Sequence, residues 1–372
     1  MSNQLQSEMS ETAGSMARTS DEEILLRING LKKHFDQNRG LIPKLREFFT
    51  DEEYPAVKAI DGVDIALQSN QVQGIIGESG CGKSTLLNVL MGLAPPTEGE
   101  IWFDSEDVLS YGSNGWQEFR RRVQIIFQDP YNAIDPKLSV RESLEEPLII
   151  HSIDDQERRI NEALEDVQLT PSSEYLDRFP RELSGGEKQR VSIARALVLE
   201  PDVILADEPV SMLDVSTQAA VLELLNDLTE DRGLSMLYVS HDLSTVSYIC
   251  DIVNVMYLGR IVESGPTAQL LETPKHPYTQ QLIKAIPVPD PHHVRARTDL
   301  RGTPSDPTDM PTGCRFKDRC PERMEVCDTR PQDVPAGTNE EHMVACHLYD
   351  DNVDDQPPII SDAAESEEGE QS

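Results

Sequence analysis

Two short groups of residues are suited to phosphate chemistry. Gly77, Glu78, Ser79, Gly80, Cys81, Gly82, Lys83, Ser84 and Thr85 fit the pattern G-x-x-x-x-G-K-[ST]. The glycines of such a loop let backbone N–H groups wrap a β-phosphate without Cβ clashes, and the helix that follows adds positive potential at its N-terminus. Lys83 reaches the β- and γ-phosphates, and the Ser84 hydroxyl suits Mg²⁺. Cys81 fills a variable slot and reads as a small filler. The second group is the apolar run Val203 to Glu208, VILADE, which ends in two carboxylates. Acids at a buried strand end call for a cation or a shared proton. Asp207 suits the surroundings of Mg²⁺, and Glu208 can point at an attacking water.

A third group is Cys314, Cys320, Cys327 and Cys346, separated by five, six and eighteen residues. This spacing is not the C-x2-C pairing of zinc ribbons. Four cysteines in one small unit of a cytosolic chain still suggest a metal rather than disulfides. Thiolates suit zinc and an iron–sulfur cluster equally. Cys250 stands alone in an apolar run and reads as core strand. His276, His292 and His293 read as loop residues. Arg120, Arg121 and Arg122 form a basic triplet that reads as a helix end before a strand.

Positioning these groups requires alternating strands and helices. Ile24 to Ile28 is a short strand candidate, and Val57 to Leu67 reads as strand, turn and strand around Asp61-Gly62. QGIIG precedes a helix at 83–93. VQIIF, DVILADE, LSMLYVS and DIVNVMYLG are further strands. The helical runs GEKQRVSIARALVLE and STQAAVLELLNDLTE fall between them. Such alternation indicates an α/β domain with a largely parallel sheet. After residue 286 the composition turns Pro-rich and leads into the cysteine unit. The expected organisation is a polar tail at 1–23, a phosphate-binding α/β domain at 24–271, an extension at 272–348 and an acidic tail at 349–372, both tails being disordered.

The 372 residues carry 67 Asp and Glu against 33 Lys and Arg, a net charge of −34. The two tails hold −4 and −9 of this, leaving −21 on the body. Broad nucleic-acid binding is disfavoured, because phosphate affinity draws on clustered Lys and Arg. A body this acidic repels itself unless counterions screen it, which suggests a protein of high-salt cytoplasm. No apolar run reaches membrane-spanning length. The N-terminal residues have neither a basic nor an apolar segment of a signal peptide, so the chain is expected to stay in the cytoplasm.

LSGGEKQR, Leu183 to Arg190, resembles the signature motif of ATP-binding-cassette ATPases. Gln128 in IIFQDP resembles the Q-loop, SMLD at 211–214 the D-loop, and His241 in YVSHD the switch histidine. QDPYNAIDPKLSVRE, SHDLSTVSYICDIVNVMYLGRIVESG and KHPYTQQLIKAIP are similar to the ATPase subunits of oligopeptide and dipeptide importers. The insertion after LKKHF resembles the second of the two ATPases these importers often use. Glu187, Met212 and Asp135 depart from the usual Gln, Ala and Asn.

The resemblance implies a P-loop fold: a mixed sheet, an antiparallel β subdomain, a helical subdomain and a Cys-rich extension. It implies an ATPase acting as a head-to-tail pair with a second cassette, itself or a paralogue. Two membrane permeases and an extracellular solute-binding protein would be its partners, with no nucleic acid. The chain would sit peripherally on the cytoplasmic face of the membrane. Phe35 would stack on adenine. Ser184, Gly185, Gly186 and Glu187 would cover the partner's ATP, and Asp214 would cross the interface. Glu208 would polarise water, His241 would hold the γ-phosphate, and Gln128 would sense it together with Mg²⁺, which Ser84 and Asp207 also serve. The cysteine pattern resembles the iron–sulfur site of some peptide importers, which favours [4Fe–4S] over Zn²⁺. Importers of nickel or oligosaccharides share much of this pattern. A cassette ATPase of translation or DNA repair fits less well, since those usually carry two cassettes or a coiled-coil insert. A further reading makes the C-terminal unit a metal-dependent interaction module.

Overall fold

The computed structural model describes residues 24–36, 56–285, 310–336 and 341–350. The expected tails at 1–23 and beyond 350, the insertion at 37–55, and His292 and His293 lie outside the described residues. The described chain opens on two long strands, β1 (Ile24–Phe35) and β2 (Val57–Gln68). The expected turn at Asp61-Gly62 is instead the irregular middle of β2. Gly62 takes φ +87°, while the ladder with β1 runs on from Ile24–Gln68 to Phe35–Val57 through several register shifts. Glycine adopts this left-handed conformation without Cβ strain. Asp61 is meanwhile fixed from outside the ladder by Arg260 and Arg315.

The chain continues through β3 (Val72–Ile76), α1 (Lys83–Leu90), β4 (Glu98–Phe103) and β5 (Glu106–Asp107). It then forms α2 (Ser113–Arg122) and β6 (Val123–Ile126), with the arginine triplet at the helix end as expected. Next come α3 (Pro130–Ala133), α4 (Val140–Ile150), α5 (Gln156–Asp166) and α6 (Gly185–Leu197). The last third holds β7 (Val203–Asp207), α7 (Val215–Arg232), β8 (Ser235–Ser240), α8 (Leu243–Ile249), β9 (Ile252–Tyr257) and β10 (Arg260–Pro266). It ends with α9 (Thr267–Glu272), α10 (Pro277–Lys284), β11 (Val334–Pro335) and β12 (Met343–Val344).

Two sheets result. One is antiparallel, in the order β2-β1-β4-β5. The other has the order β11-β12-β10-β9-β3-β8-β7-β6, with neighbouring strands from β9 to β6 parallel and the strands from β10 to β11 antiparallel. The central strands are apolar on both faces, as covered parallel strands must be. Met236 and Tyr238 of β8 join one core while Leu237 and Val239 join the other; Ile204 and Ala206 alternate with Val203 and Leu205 in β7. This is the two-residue period of a strand read out as two cores. Helices α4, α5 and α6 pack on one another, and they share one apolar core with the sheet.

One local reading changes and one gains detail. Cys250 is the buried C-terminal cap of α8, not a strand residue. Its neighbours Val246 and Ile249 supply the apolar pattern, and a one-turn helix end looks like a strand at that length. His276 lies in the loop before α10 as expected, but it is buried there and caps that helix, its Nδ1 accepting from the Tyr278 N–H at 3.0 Å.

The residues beyond α10 dock on the same sheet. β12 pairs with β10, and His342 lies 2.7 Å from the buried carboxylate of Glu263. Glu263 also accepts from the Lys275 and His276 N–H groups. A buried carboxylate with this many donors is a satisfied charge, and it locks the C-terminal unit to the larger sheet.

Candidate active site

The phosphate loop runs from the end of β3 into α1. Its shape depends on two glycines. A Cβ on Gly77 would lie 2.1 Å from the Met256 carbonyl oxygen, and one on Gly82 would lie 2.2 Å from that of Ala59. Only glycine lets the loop close this tightly against its neighbours. Lys83, the first residue of α1, is buried, and its Nζ donates to the carbonyls of Gly77 at 2.7 Å and Glu78 at 3.2 Å. Burial pushes the Cys81 thiol up, against the pull of Lys83, so this cysteine is a filler and not a poised nucleophile.

β7 carries the two acids to the mouth of this loop. Ser84 Oγ donates to Asp207 Oδ1 at 3.3 Å, which joins the groups suited to Mg²⁺. Burial raises the Asp207 carboxyl, and the Glu208 charge adds to the rise, while the Ser84 hydrogen bond opposes it. A carboxylate so destabilised fits a place where a cation arrives, so the residues present suit a magnesium ion. Glu208, at φ +46°, turns its side chain out of the strand. It meets Gln128 Nε2 at 3.0 Å and His241 Nδ1 at 3.0 Å. Three residues from the ends of three parallel strands therefore converge, as ligand sites at the carboxyl ends of α/β sheets do.

A cavity of about 480 Å³ joins these groups. Ser79, Gly80, Cys81, Gly82, Lys83, Ser84 and Thr85 line it, opposite Gln128, Glu208 and His241. The sequence reading missed the rest of the wall, which includes Val57, Ala59, Leu258, Gly259 and Met310. These residues carry no chemical signature and are recruited by the fold.

Other expected residues lie apart from this cavity. Phe35 is half-exposed at the end of β1, with Lys33 Nζ 4.8 Å from its ring centroid; its strand partner Val57 lines the cavity, but Phe35 does not. Ser184, Gly185, Gly186 and Glu187 form the N-terminus of α6. Ser184 Oγ accepts from Glu187 N–H at 3.3 Å and Glu187 accepts from Ser184 N–H at 2.7 Å, a reciprocal cap. Glu187 thus has a local use that explains its compatibility with this position. Asp214 caps α7 by accepting from Thr217 N–H at 3.1 Å, and the Ser216 and Thr217 hydroxyl bonds help hold its carboxyl at about 2.

All six cysteines are free of disulfides. Among the described residues, no three His, Cys, Asp or Glu side chains form a group that could hold a metal ion. Cys314 and Cys320 instead pack against the main apolar core. Burial pushes the thiols of Cys314 up to about 11 and of Cys320 and Cys346 up to about 12. Cys320 and Cys346 each feel the charges of Cys314 and Cys327, so the four thiols share one neighbourhood, but no group among the described residues supports the expected [4Fe–4S] or Zn²⁺ centre.

A phosphate loop facing an acid-ended strand, with glutamine and histidine closing on the same carboxylate, defines a P-loop ATPase. Comparison narrows the class. The family model "ABC transporter" matches residues 60–211, and "Oligopeptide/dipeptide transporter, C-terminal region" matches 262–327. The dipeptide transport ATP-binding protein DppF of Escherichia coli strain K12 is 41% identical over 337 residues, which cover 90% of this chain and 97% of the relative. The structure of cbiO1 from Clostridium perfringens, part of an ABC transporter complex, aligns with a TM-score of 0.57 at 27% identity, over 68% of this chain and 92% of that one. The cassette MJ0796, solved as a post-hydrolysis dimer with ADP and Pi, gives 0.55 at 27% identity, over 65% and 99%. The chain belongs to the family of ABC-transporter ATP-binding proteins typified by these dipeptide and oligopeptide transport subunits. No helix among the described residues is long and apolar enough to cross a membrane.

Proposed function

We propose that this chain is the ATP-hydrolysing subunit of an importer for dipeptides or oligopeptides. It works on the cytoplasmic face of the membrane as a head-to-tail pair with a second cassette, against two permease subunits supplied by an extracellular solute-binding protein. The observation that carries the ATPase reading is the convergence of Gln128 and His241 on Glu208 across the cavity from Lys83. Kinship with peptide transport subunits supports the cargo.

In this reading the loop N–H groups and the Lys83 ammonium hold the β- and γ-phosphates, and Ser84 and Gln128, backed by Asp207, hold the metal. Magnesium, when bound, neutralises charge on the phosphate oxygens. Glu208 takes a proton from water as its oxygen bonds to the γ-phosphorus and the bond to the ADP oxygen breaks. His241 holds Glu208 through Nδ1 and leaves its other ring nitrogen for the γ-phosphate. Catalysis is positioning and charge stabilisation, with no covalent intermediate on the protein. The N-terminus of α6, remote from its own chain's cavity, suits covering the γ-phosphate held by the other cassette. Asp214 would face that same junction, and Phe35 would move onto the adenine.

The net charge of −34 supports a further element of the proposal, a cytoplasm rich in salt. Isolation of the intact complex tests the whole. Membrane subunits should co-purify, ATP turnover should rise with the loaded binding protein, and mass spectrometry should find peptides held there. Recovery with ribosomes or DNA instead would reject import, and a metal or sugar in the binding protein would reject the peptide cargo.

A further inference from the structure

The C-terminal unit reaches into the phosphate loop. Arg319, between Cys314 and Cys320 in sequence, is only 5% exposed. Its Nη1 donates to Glu78 Oε2 and its Nη2 to Glu78 Oε1, both at 2.9 Å. Such a two-point fork fixes orientation as well as distance. Nη1 also donates to the Tyr257 hydroxyl at 3.2 Å, and the rings of Tyr257 and Phe316 lie 5.7 and 5.8 Å from the guanidinium carbon. Glu78 is the second residue of the loop. Its N–H donates to the Tyr278 hydroxyl at 2.9 Å, and its carbonyl accepts from Lys83 Nζ at 3.2 Å. One loop residue is thus held at its side chain by the C-terminal unit, at its N–H by α10, and at its carbonyl by the lysine that must reach the nucleotide.

The same unit touches the cavity wall at two more points. Met310 lines the cavity directly. Arg315 donates to the carbonyl of Leu258, another wall residue, and to Asp61. Gly259, next along the wall, donates its N–H to the Cys81 carbonyl of the loop at 2.7 Å. These contacts come from three different residues of the unit, so the approach is not a single chance pairing.

We propose that Arg319 is a positioning residue for nucleotide binding, and that through it the C-terminal unit sets the affinity of the phosphate loop for ATP. This rests on the reading of residues 77–85 as the triphosphate site. Arg319 acts in two ways. It fixes the second residue of the loop, so that the N–H groups stay aimed inward. It also cancels the charge of a carboxylate carried on the loop that is to bind a highly anionic ligand, in a body already at −21. Like charges in a partly dry site repel strongly, and here no bulk of basic residues offsets them.

The two effects separate by mutation. Arg319→Ala frees the loop and exposes the Glu78 charge. Arg319→Lys keeps the charge but loses the fork. Adding Glu78→Gln to either variant removes the repulsion and leaves the lost tether. The full-length chain is titrated with a fluorescent ATP analogue and Mg²⁺, beside thermal melts of each variant. Arg319→Ala should weaken binding by about tenfold or more, Arg319→Lys by less, and Glu78→Gln in the Arg319→Ala background should recover a large part of the loss. A purely structural role would lower the melting temperature without this pattern of rescue. If Arg319→Ala does not fold, Arg319→Lys with and without Glu78→Gln decides in the same way. Wild-type affinity in the folded arginine variants, or a loss that Glu78→Gln does not relieve, overturns the proposal. A wild-type chain that takes up no MgATP overturns the reading beneath it as well.

Discussion

His241 Nδ1 stands 3.0 Å from Glu208 Oε1, and Gln128 Nε2 stands 3.0 Å from the other oxygen of the same carboxylate. One acid is thus held by two side chains from separate strand ends. A group held at both oxygens before nucleotide arrives needs little reorganisation to receive a water proton. His241→Ala should therefore lower kcat by about 10²–10⁴-fold, the range for disabling a positioned proton-transfer group, here Glu208, with a smaller loss of MgATP affinity from the missing γ-phosphate contact. Steady-state turnover alongside equilibrium titration checks the split between the two.

Lys83 donates to two loop carbonyls and is buried at the start of α1. In the proposed complex those bonds are exchanged for phosphate oxygens. Lys83→Ala removes a charge-assisted contact of about 1.5–3 kcal/mol, so affinity for MgATP should fall by about ten- to a hundredfold. A titration with a fluorescent ATP analogue measures this, and near-UV circular dichroism should stay unchanged.

Burial alone would raise the Asp61 carboxyl, but the Arg260 hydrogen bond and the Arg315 and Arg260 charges bring it down to about 2. Its folded value lies below its unfolded one, so its contribution is complete above about pH 4 and is lost as pH falls towards 2. The size is about 2 kcal/mol by linkage. Urea unfolding between pH 5 and pH 2 should show this decline. Asp61→Asn should flatten it and, by leaving Arg315 without its counter-charge, destabilise the fold by about 3 kcal/mol at pH 7.

The charge of −34 makes salt a fourth handle. Self-repulsion screened by counterions predicts a melting temperature that rises steadily with KCl towards molar concentrations. A melting series checks this directly.

The phosphate loop and the acid-ended strand were legible because each is a contiguous run whose chemistry is written in its residue types, whereas the facing histidine was singled out only by the family resemblance of YVSHD. The largely parallel sheet that holds β3, β7, β8 and β9 was legible in the alternation of short apolar runs with helices, but the order of its strands was not. The docking of β11 and β12 on β10 was not legible: each is two residues long and has no periodicity to read. Gly62 read as a turn because Asp-Gly usually is one, and only Arg260 and Arg315, 198 and 253 residues further along, show why the strand continues. The cysteines are a different case. Spacing along a chain reports that thiols are near in sequence, and it does not report whether they face a common centre or pack into a core. The fork from Arg319 to Glu78 spans 241 residues and had no local signal at all.

The claim at the centre of this account is that Glu208 drives ATP cleavage at the loop that Lys83 organises. Single-turnover hydrolysis of radiolabelled ATP by Glu208→Gln tests it most directly. The account predicts that this variant binds MgATP at least as well as wild type, and releases phosphate at least about a hundredfold more slowly, the lower range for a positioned general base. Phosphate release at the wild-type rate would contradict it.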